Sequence, residues 1–434
     1  MIVSPAFARK RYAVLGLARS GLTAVETLLA SGAEVTAWDN REEARALVEG
    51  RAVLADPLTI DLAGFDGVVV SPGVPINRHP IAEAARAAGV PLIGDIELFS
   101  QARAALPPHK VVGITGTNGK STTTALVHHI LDVAGIPNRM GGNIGVPILG
   151  EEPLPEGGVY VLELSSYQID LTDRLDCDVA VLLNVTPDHL DRYDGFEGYV
   201  ASKARLFGMQ AIGRVALVDY HAEMDLDVLR FAPDRQAVKF IQGVDLPGEQ
   251  AEWPSLQGPH NLSNTQAAVG IVRALGLDDA TIERGLKSFK GLPHRMERIA
   301  EHKGVLYVND SKATNPASTA PALAAYPRIH WIVGGLPKGD DLDECAPQFG
   351  HVVAAYTIGE AGPRFAELLE PVMPVTRSEM LCEAVRQAME AAQPGEVVML
   401  SPACASFDQF RDFEARGDTF RDCVMALIGE DGAA

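Results

Sequence analysis

KVVGITGTNGKSTTTALVHHIL, residues 110–131, decides the fold. Val111, Val112 and Ile114 make a short apolar, β-branched run, and Ala125 to Leu131 read as a helix. Between them lie Gly113, Gly116 and Gly119, a lysine and a series of hydroxyls. Strand, glycine turn and helix in that order aim a helix N-terminus and successive backbone N–H groups at an anion. Lys120 is then a point charge for terminal phosphates, and the Ser121 hydroxyl can reach a Mg²⁺. The spacing departs from the strict G-x-x-x-x-G-K-[ST] rule, because Ile114 stands where the first glycine belongs. A turn that is merely rich in glycine is the bland alternative. Strand, Gly-Lys-Ser and helix in one register favour the phosphate cradle.

The same alternation extends in both directions. YAVLGL, GVVV, VYVLEL, VAVLLNV, HWIVGG and EVVMLSP are continuous apolar runs, with helical stretches such as GLTAVETLLASG and EAVRQAMEAA between them. Such runs predict parallel strands covered on both faces, an α/β fold. Two Pro- and Gly-containing stretches, QARAALPPHK at 101–110 and FKGLPHRME at 289–297, divide the chain. The expected domains are 1–98, Rossmann-like; 99–291, a central sheet like that of P-loop ATPases; and 292–434, again Rossmann-like.

The charge sum of −20 disfavours nucleic-acid binding, which needs a basic face. The five cysteines include no CxxC pair, which favours a reducing compartment and argues against a zinc site or disulfide framework. No run approaches the roughly 18 apolar residues of a membrane span, and ARKRYAVLGLARSG reads as a first strand rather than a leader. A cytoplasmic, monomeric protein without membrane or nucleic-acid partners is expected.

AVLGLARSG at 13–21 keeps two outer glycines of G-x-G-x-x-G, Gly16 and Gly21, but Ala18 replaces the middle one. Asp39 follows Gly16 by 23 residues at a strand end, where an acid would hold a ribose. A dinucleotide, another nucleotide diphosphate and an unliganded turn all remain open, with the missing glycine counting against the first. Elsewhere, chemistry-bearing residues gather at predicted strand ends. VYVLELSS ends its strand with Glu163, then Ser165 and Ser166, and Asp188, His189 and Asp191 follow VAVLLNV. A strand-end carboxylate near a phosphate loop is well placed for Mg²⁺. Lys203, in YVASKARLF, reads on its own as a surface helix lysine. In the last domain Asp310, Lys312, Thr314 and Asn315, then Lys338, then SPACAS end three further strands and suggest one cleft.

GTNGKST, ELSSYQ, NVTPDHLDRY, GLPHR, NDSKATNP and SPACASFDQFRDFEARG together resemble the Mur ligases, across all three expected domains. GTNGK is shared with the wider family, including folylpolyglutamate synthases. NDSKATNP and SPACASFDQF are similar to the member that adds D-glutamate to UDP-N-acetylmuramoyl-L-alanine, consuming ATP with Mg²⁺ through an acyl phosphate. The resemblance implies ATP contacts for Thr117, Asn118, Gly119, Lys120, Ser121, Thr122, Thr123, Asn261, Asn264, Arg295, Asp310 and Lys312. It implies precursor contacts for Ser20, Asp39, Asn40, Arg41, Gly73, Asn143 and Ser165, and a D-glutamate pocket of Thr314, Lys338, Ser406 and Phe413. Ser121, Glu163 and His189 would hold Mg²⁺, and Lys203 aligns with a lysine that the family carbamylates, which overturns its surface reading. Catalysis would fall to Lys120, Glu163, His189 and Lys203. Leu336-Pro337 stands before Lys338 where a more polar pair is expected.

Overall fold

The structure, a computed structural model, describes residues 1–188, 192–219, 238–339 and 341–433. Two compact units are present, one of Met1–Pro247 with Gln266–Gly285 and one of Gly248–Thr265 with Leu286–Ala434.

The first unit carries two sheets. One consists of β1 (Arg11–Leu15), β2 (Glu34–Trp38), β3 (Val53–Leu54), β4 (Gly67–Val70) and β5 (Leu92–Ile93), in the order β3-β2-β1-β4-β5 and parallel throughout. The other consists of β6 (His109–Thr115), β7 (Asn138–Gly142), β8 (Gly158–Glu163), β9 (Val179–Leu182), β10 (Val215–Val218) and β11 (Val238–Phe240). Its order is β11-β10-β9-β6-β8-β7, again parallel. Every residue of β4, β8 and β9 is buried, as apolar runs covered by helices on both faces require.

Both orders reverse direction beside their first strand. β1 sits between β2 and β4, and β6 sits between β9 and β8, so the loops leaving those strands diverge and open a crevice. These are the loops that carry the glycine motifs. The two sheets share one core. Phe99 meets Tyr160 with ring centroids 5.0 Å apart, and Gly94 N donates to Leu171 O at 2.8 Å.

The second unit holds β12 (Glu297–His302), β13 (Val305–Asn309), β14 (Ile329–Gly334), β15 (Val352–Ile358), β16 (Val375–Glu379) and β17 (Val397–Leu400). Their order is β12-β13-β17-β14-β15-β16. β12 runs antiparallel to β13, a hairpin that the sequence reading lacks, turned at Lys303 with φ 50° and Gly304 with φ 76°. Its half-exposed, polar residues hide it from a search for apolar runs. A second correction concerns cysteine: Cys382 and Cys423 are joined as a disulfide. They stand 41 residues apart, but the helices Leu381–Ala391 and Phe413–Ala433 bring their Cα atoms to 5.7 Å, within bridging range.

The first glycine motif now has a physical account. Gly16 has φ +89°, and a Cβ on Gly21 would lie 1.8 Å from the Gly16 carbonyl oxygen. Ala18 is the extended N-cap of the helix Arg19–Ala30, at φ −72° and ψ −177°, where a side chain costs nothing. Gly21→Ala is therefore expected to destabilise the first unit by about 1–3 kcal/mol, whereas Ala18→Gly stays within about 0.5 kcal/mol. Urea unfolding checks both, and equal stabilities for the two variants would refute the account.

Candidate active site at the strand ends

The phosphate loop leaves β6 and enters the helix Lys120–Val133 through Gly119, a left-handed N-cap with φ +84°. The first turn of that helix holds no acidic residue and its N-cap makes no side-chain bond, so the positive end of the helix dipole is not offset from within its own first turn. Asn184, just beyond β9, fastens the loop from the side. Its carbonyl accepts from Thr117 N at 2.8 Å, its Oδ1 accepts from Asn118 N at 2.8 Å, and its Nδ2 donates to Asn118 O at 3.0 Å. The motif reading does not single out Asn184. The signal available was its place at the end of the strand neighbouring β6. Lys120 Nζ donates to Gly116 O at 2.9 Å and Thr117 O at 2.8 Å, folded back over the anion site; Ser121 and Thr123 are buried and Thr122 is half-buried.

Glu163 ends β8 and is 2% exposed. Asn143 Nδ2 donates to its Oε1 at 2.8 Å, while its Oε2 is buried without a hydrogen-bond partner among the described residues. An unpaired buried carboxylate oxygen is costly, and a hard cation is the partner its chemistry best fits. With the buried Ser121 hydroxyl at the neighbouring strand end, the described residues suit a Mg²⁺. His189 and Asp191 lie outside the described residues; Asp188 is described and exposed.

Lys203 corrects the surface reading. Its helix, Gly195–Gly208, turns it inward to 1% exposure, with Nζ donating to Gly116 O at 2.9 Å and lying 4.6 Å from the centre of the Tyr199 ring. Burial, and then the charge of Lys120, push its ammonium down to about 7, against the opposing pull of Asp188 and Asp170. Two lysines thus share one carbonyl oxygen.

At the first sheet's crevice, Ser71 Oγ donates to Gly16 O at 2.9 Å, locking the loops after β1 and β4 together. Asp39 is spent on the same loops: Leu17 N donates to its Oδ2 at 2.8 Å and Arg41 N to its Oδ1 at 3.0 Å. Burial raises its carboxyl, but these hydrogen bonds and the Arg41 guanidinium outweigh it and hold Asp39 at about 2. Asn40 O accepts from Arg45, Ser20 sits in the first turn of its helix, and Gly73 is exposed beside open space. Ser165 caps the helix Ser166–Asp170 in a capping box with Gln168.

In the second unit the loops after β13, β14 and β17 converge. Asp310 accepts from Ser401 Oγ at 2.8 Å and Met296 N at 3.1 Å, and burial pushes its carboxyl up to about 7. Lys312 Nζ lies 3.8 Å from the centre of the Phe413 ring, Lys338 Nζ lies 3.4 Å from Thr314 Oγ1, and Ser406 is buried. Arg416, fully buried, donates to Ser311 Oγ and to the carbonyls of Ser311, Cys404 and Ala405 at 2.8–3.2 Å. Leu336 and Ala405 exchange backbone bonds at 2.9 Å, so the apolar Leu336-Pro337 pair leaves the loop before Lys338 anchored through its main chain. Arg295 stands between His294 and Met296, non-glycine residues at φ 61° and 47°, a strained turn of the kind that gathers at working sites. Asn261 and Asn264 are buried on one helix and bond each other at 3.2 Å.

Comparison with known proteins joins these strand-end loops to a family. Three family models match in order: Mur ligase MurD-like, N-terminal domain, over residues 10–94; Mur ligase middle domain over 114–272; and Mur ligase, glutamate ligase domain, over 294–404. A protein of Novosphingobium aromaticivorans named UDP-N-acetylmuramoylalanine--D-glutamate ligase is 74% identical over 99% of this chain and 97% of its own. The protein of the same name from Sphingopyxis alaskensis is 62% identical over 98% of this chain and all of its own. The crystal structure of MurF ligase from Thermotoga maritima in complex with ADP shares the fold, with a TM-score of 0.59, 17% identity, and coverage of 99% and 98% of the two chains. Matches this long, in the chain order of the three sheets, settle the family: the chain belongs to the Mur ligases.

Proposed function

We propose that this chain is an ATP-dependent amide ligase that adds D-glutamate to UDP-N-acetylmuramoyl-L-alanine, releasing ADP and phosphate, in the cytoplasmic synthesis of peptidoglycan precursors. The observation that carries it is that Lys120 and Lys203 share the Gly116 carbonyl just beyond β6, while the unpaired Glu163 oxygen ends β8, the strand beside it. The choice of substrates follows the names of the curated relatives. No described helix is long and apolar enough to cross a membrane. Every residue invoked comes from one chain, so a monomer suffices.

A carboxylate is a poor acyl donor because oxide is a poor leaving group. An oxygen of the alanyl carboxylate attacks the γ-phosphorus of ATP, the bond to the β-phosphate oxygen breaks, and ADP leaves. The D-glutamate amine then adds to the acyl phosphate, loses a proton, and inorganic phosphate departs as the amide forms. Lys120 would exchange Gly116 O and Thr117 O for the β- and γ-phosphates, while the helix N-terminus and Thr117–Thr123 hold the remaining oxygens. Mg²⁺, held by Ser121, Glu163 and His189, would supply charge neutralisation at the phosphates. Lys203, close to neutral at physiological pH, can add CO₂ through its amine and lose a proton, becoming a carbamate. A carbamate beside Lys120 is an ion pair where two ammoniums repel, and it offers oxygen to the metal.

Ser20, Asp39, Asn40, Arg41 and Gly73, with Asn143 and Ser165, are assigned to the UDP precursor. Asn261 and Asn264 are assigned to adenine, Arg295, Asp310 and Lys312 to ribose and the transferred phosphate, and Thr314, Lys338, Ser406 and Phe413 to D-glutamate. Lys338 can pair with a carboxylate of the amino acid.

Phosphate release with ATP and UDP-N-acetylmuramoyl-L-alanine should require D-glutamate and fail with L-glutamate or L-lysine; release that ignores the amino acid would sink the reading. Lys120→Ala should lower turnover by at least roughly 100–1,000-fold with an unchanged melting curve, and near-normal turnover would remove the loop from the chemistry. Lys203→Ala should fall comparably and recover in part with added formate or acetate. The Lys203 ammonium forms below pH about 7 and cannot add CO₂. At one fixed level of CO₂, wild-type activity should therefore drop from pH 8 to pH 6, and at pH 8 depleting CO₂ should lower activity and bicarbonate should restore it. A profile indifferent to bicarbonate would count against carbamylation.

A further inference from the structure

Arg192 belongs to the loop leaving β9, yet its hydrogen bonds run to the other sheet of the same unit. Its Nη2 donates to Pro72 O at 3.1 Å and to Val74 O at 2.6 Å, the two carbonyls that bracket Gly73. The guanidinium carbon lies 3.5 Å from the centre of the Tyr167 ring, on the short helix that follows Glu163 and Ser165. Its neighbour Tyr193 is fixed as well, stacked on Tyr167 at 6.3 Å and donating to Asp170 Oδ2 at 2.9 Å. One planar cation is thus held by the central sheet and holds in turn a turn of the first sheet.

That turn is built to be held from behind. Ser71 N donates to Leu15 O at 3.0 Å, Ser71 Oγ to Gly16 O at 2.9 Å, and Val74 N to Ser71 O at 3.0 Å. Residues 71–74 therefore move with the Gly16 loop. A Cβ added to Gly73 would meet nothing within 4 Å, so the turn has open space beside it while its two flanking carbonyls are bonded to Arg192. With its carbonyls turned to Arg192, the loop keeps one conformation without the ligand having to order it.

We propose that Arg192 is a positioning residue for the nucleotide-linked substrate, setting the loops at 16–21 and 71–74 at a fixed reach from the phosphate loop. The proposal rests on the assignment of the UDP precursor to those loops. Chemistry at the far end of a long substrate needs this reach, because the alanyl carboxylate must arrive at the γ-phosphate while the nucleotide stays on the first sheet. A cavity of about 750 Å³ adjoins Arg192, lined also by Asn77, Asp170 and Arg205. Shortening the side chain therefore opens existing space rather than a void in packed core.

Arg192→Met keeps length and apolar contact but removes the nitrogen that makes both hydrogen bonds; Arg192→Lys keeps the cation and one nitrogen. The Met variant is expected to raise KM for the UDP precursor by roughly 10–100-fold, the loss of two charged hydrogen bonds, with KM for ATP within about threefold and an unchanged melting curve. The Lys variant should fall between Met and wild type. A parallel rise in both KM values, a fall in kcat alone, a lowered melting temperature with no KM split, or no change at all would each overturn the proposal. Gly73→Glu, which sends a charge into the open side of the loop, tests the underlying assignment. A raised precursor KM in that variant with a silent Arg192→Met rejects Arg192 alone, and a silent Gly73→Glu rejects the precursor site and the proposal with it.

Discussion

The carbonyl oxygen of Gly116 accepts from Lys120 and Lys203 together, each at 2.9 Å. Two ammonium groups on one oxygen would repel, and burial raises the penalty, which is why the Lys203 amine lies close to neutral. Across the same strand ends, Glu163 buries an oxygen that nothing among the described residues pairs. The fold therefore holds two lysine amines and an unpaired carboxylate oxygen at neighbouring strand ends, with no ion pair joining them among the described residues. A polyphosphate and a cation would relieve both at once. Such a site is expensive in isolation, and it draws its stability from the packed parallel strands on which it is mounted.

Those strands explain why one topological rule serves three separate sites. In each sheet the working loops leave neighbouring strands: β1 with β4, β6 with β8 and β9, and β13 with β17 and β14. Loops from adjacent parallel strands can brace one another, and each pair here does so through hydrogen bonds that end on backbone groups. Ser71 grips Gly16 O, Asn184 grips Thr117 and Asn118, and Ala405 grips Leu336. Arg416 adds a buried guanidinium to the last of these, and Arg192 ties the first set of loops to the second sheet. Bracing by main chain leaves side chains such as Lys338 free to be chosen for chemistry.

The α/β class and the phosphate loop were legible because continuous apolar runs and Gly-Lys-Ser spacing have few other meanings. Gly16 and Gly21 were legible for the same reason, and the tolerance of Ala18 follows from an N-cap conformation that spacing does not reveal. Lys203 was illegible from its own helix. Its burial depends on which face of Gly195–Gly208 meets β6, a tertiary fact with no local signature. Asn184 and Arg192 sit inside a motif whose carboxylates and histidine drew attention, yet both act through backbone groups far along the chain. The β12–β13 hairpin escaped because β12 is polar and half-exposed, and the Cys382–Cys423 pair because helix packing alone brings the two residues together.

A net charge of −20 looks ill-suited to three anionic reactants. The resolution lies in where the cations stand. Lys120 and Arg192 serve the strand ends of the first unit; Lys312, Lys338, Arg295 and Arg416 serve those of the second. Surface carboxylates are screened by salt over about 8 Å, while a half-buried ammonium or guanidinium at a strand end acts over a few ångströms in a medium of lower dielectric. The acidic surface keeps the protein dispersed and the cationic strand ends govern the reaction.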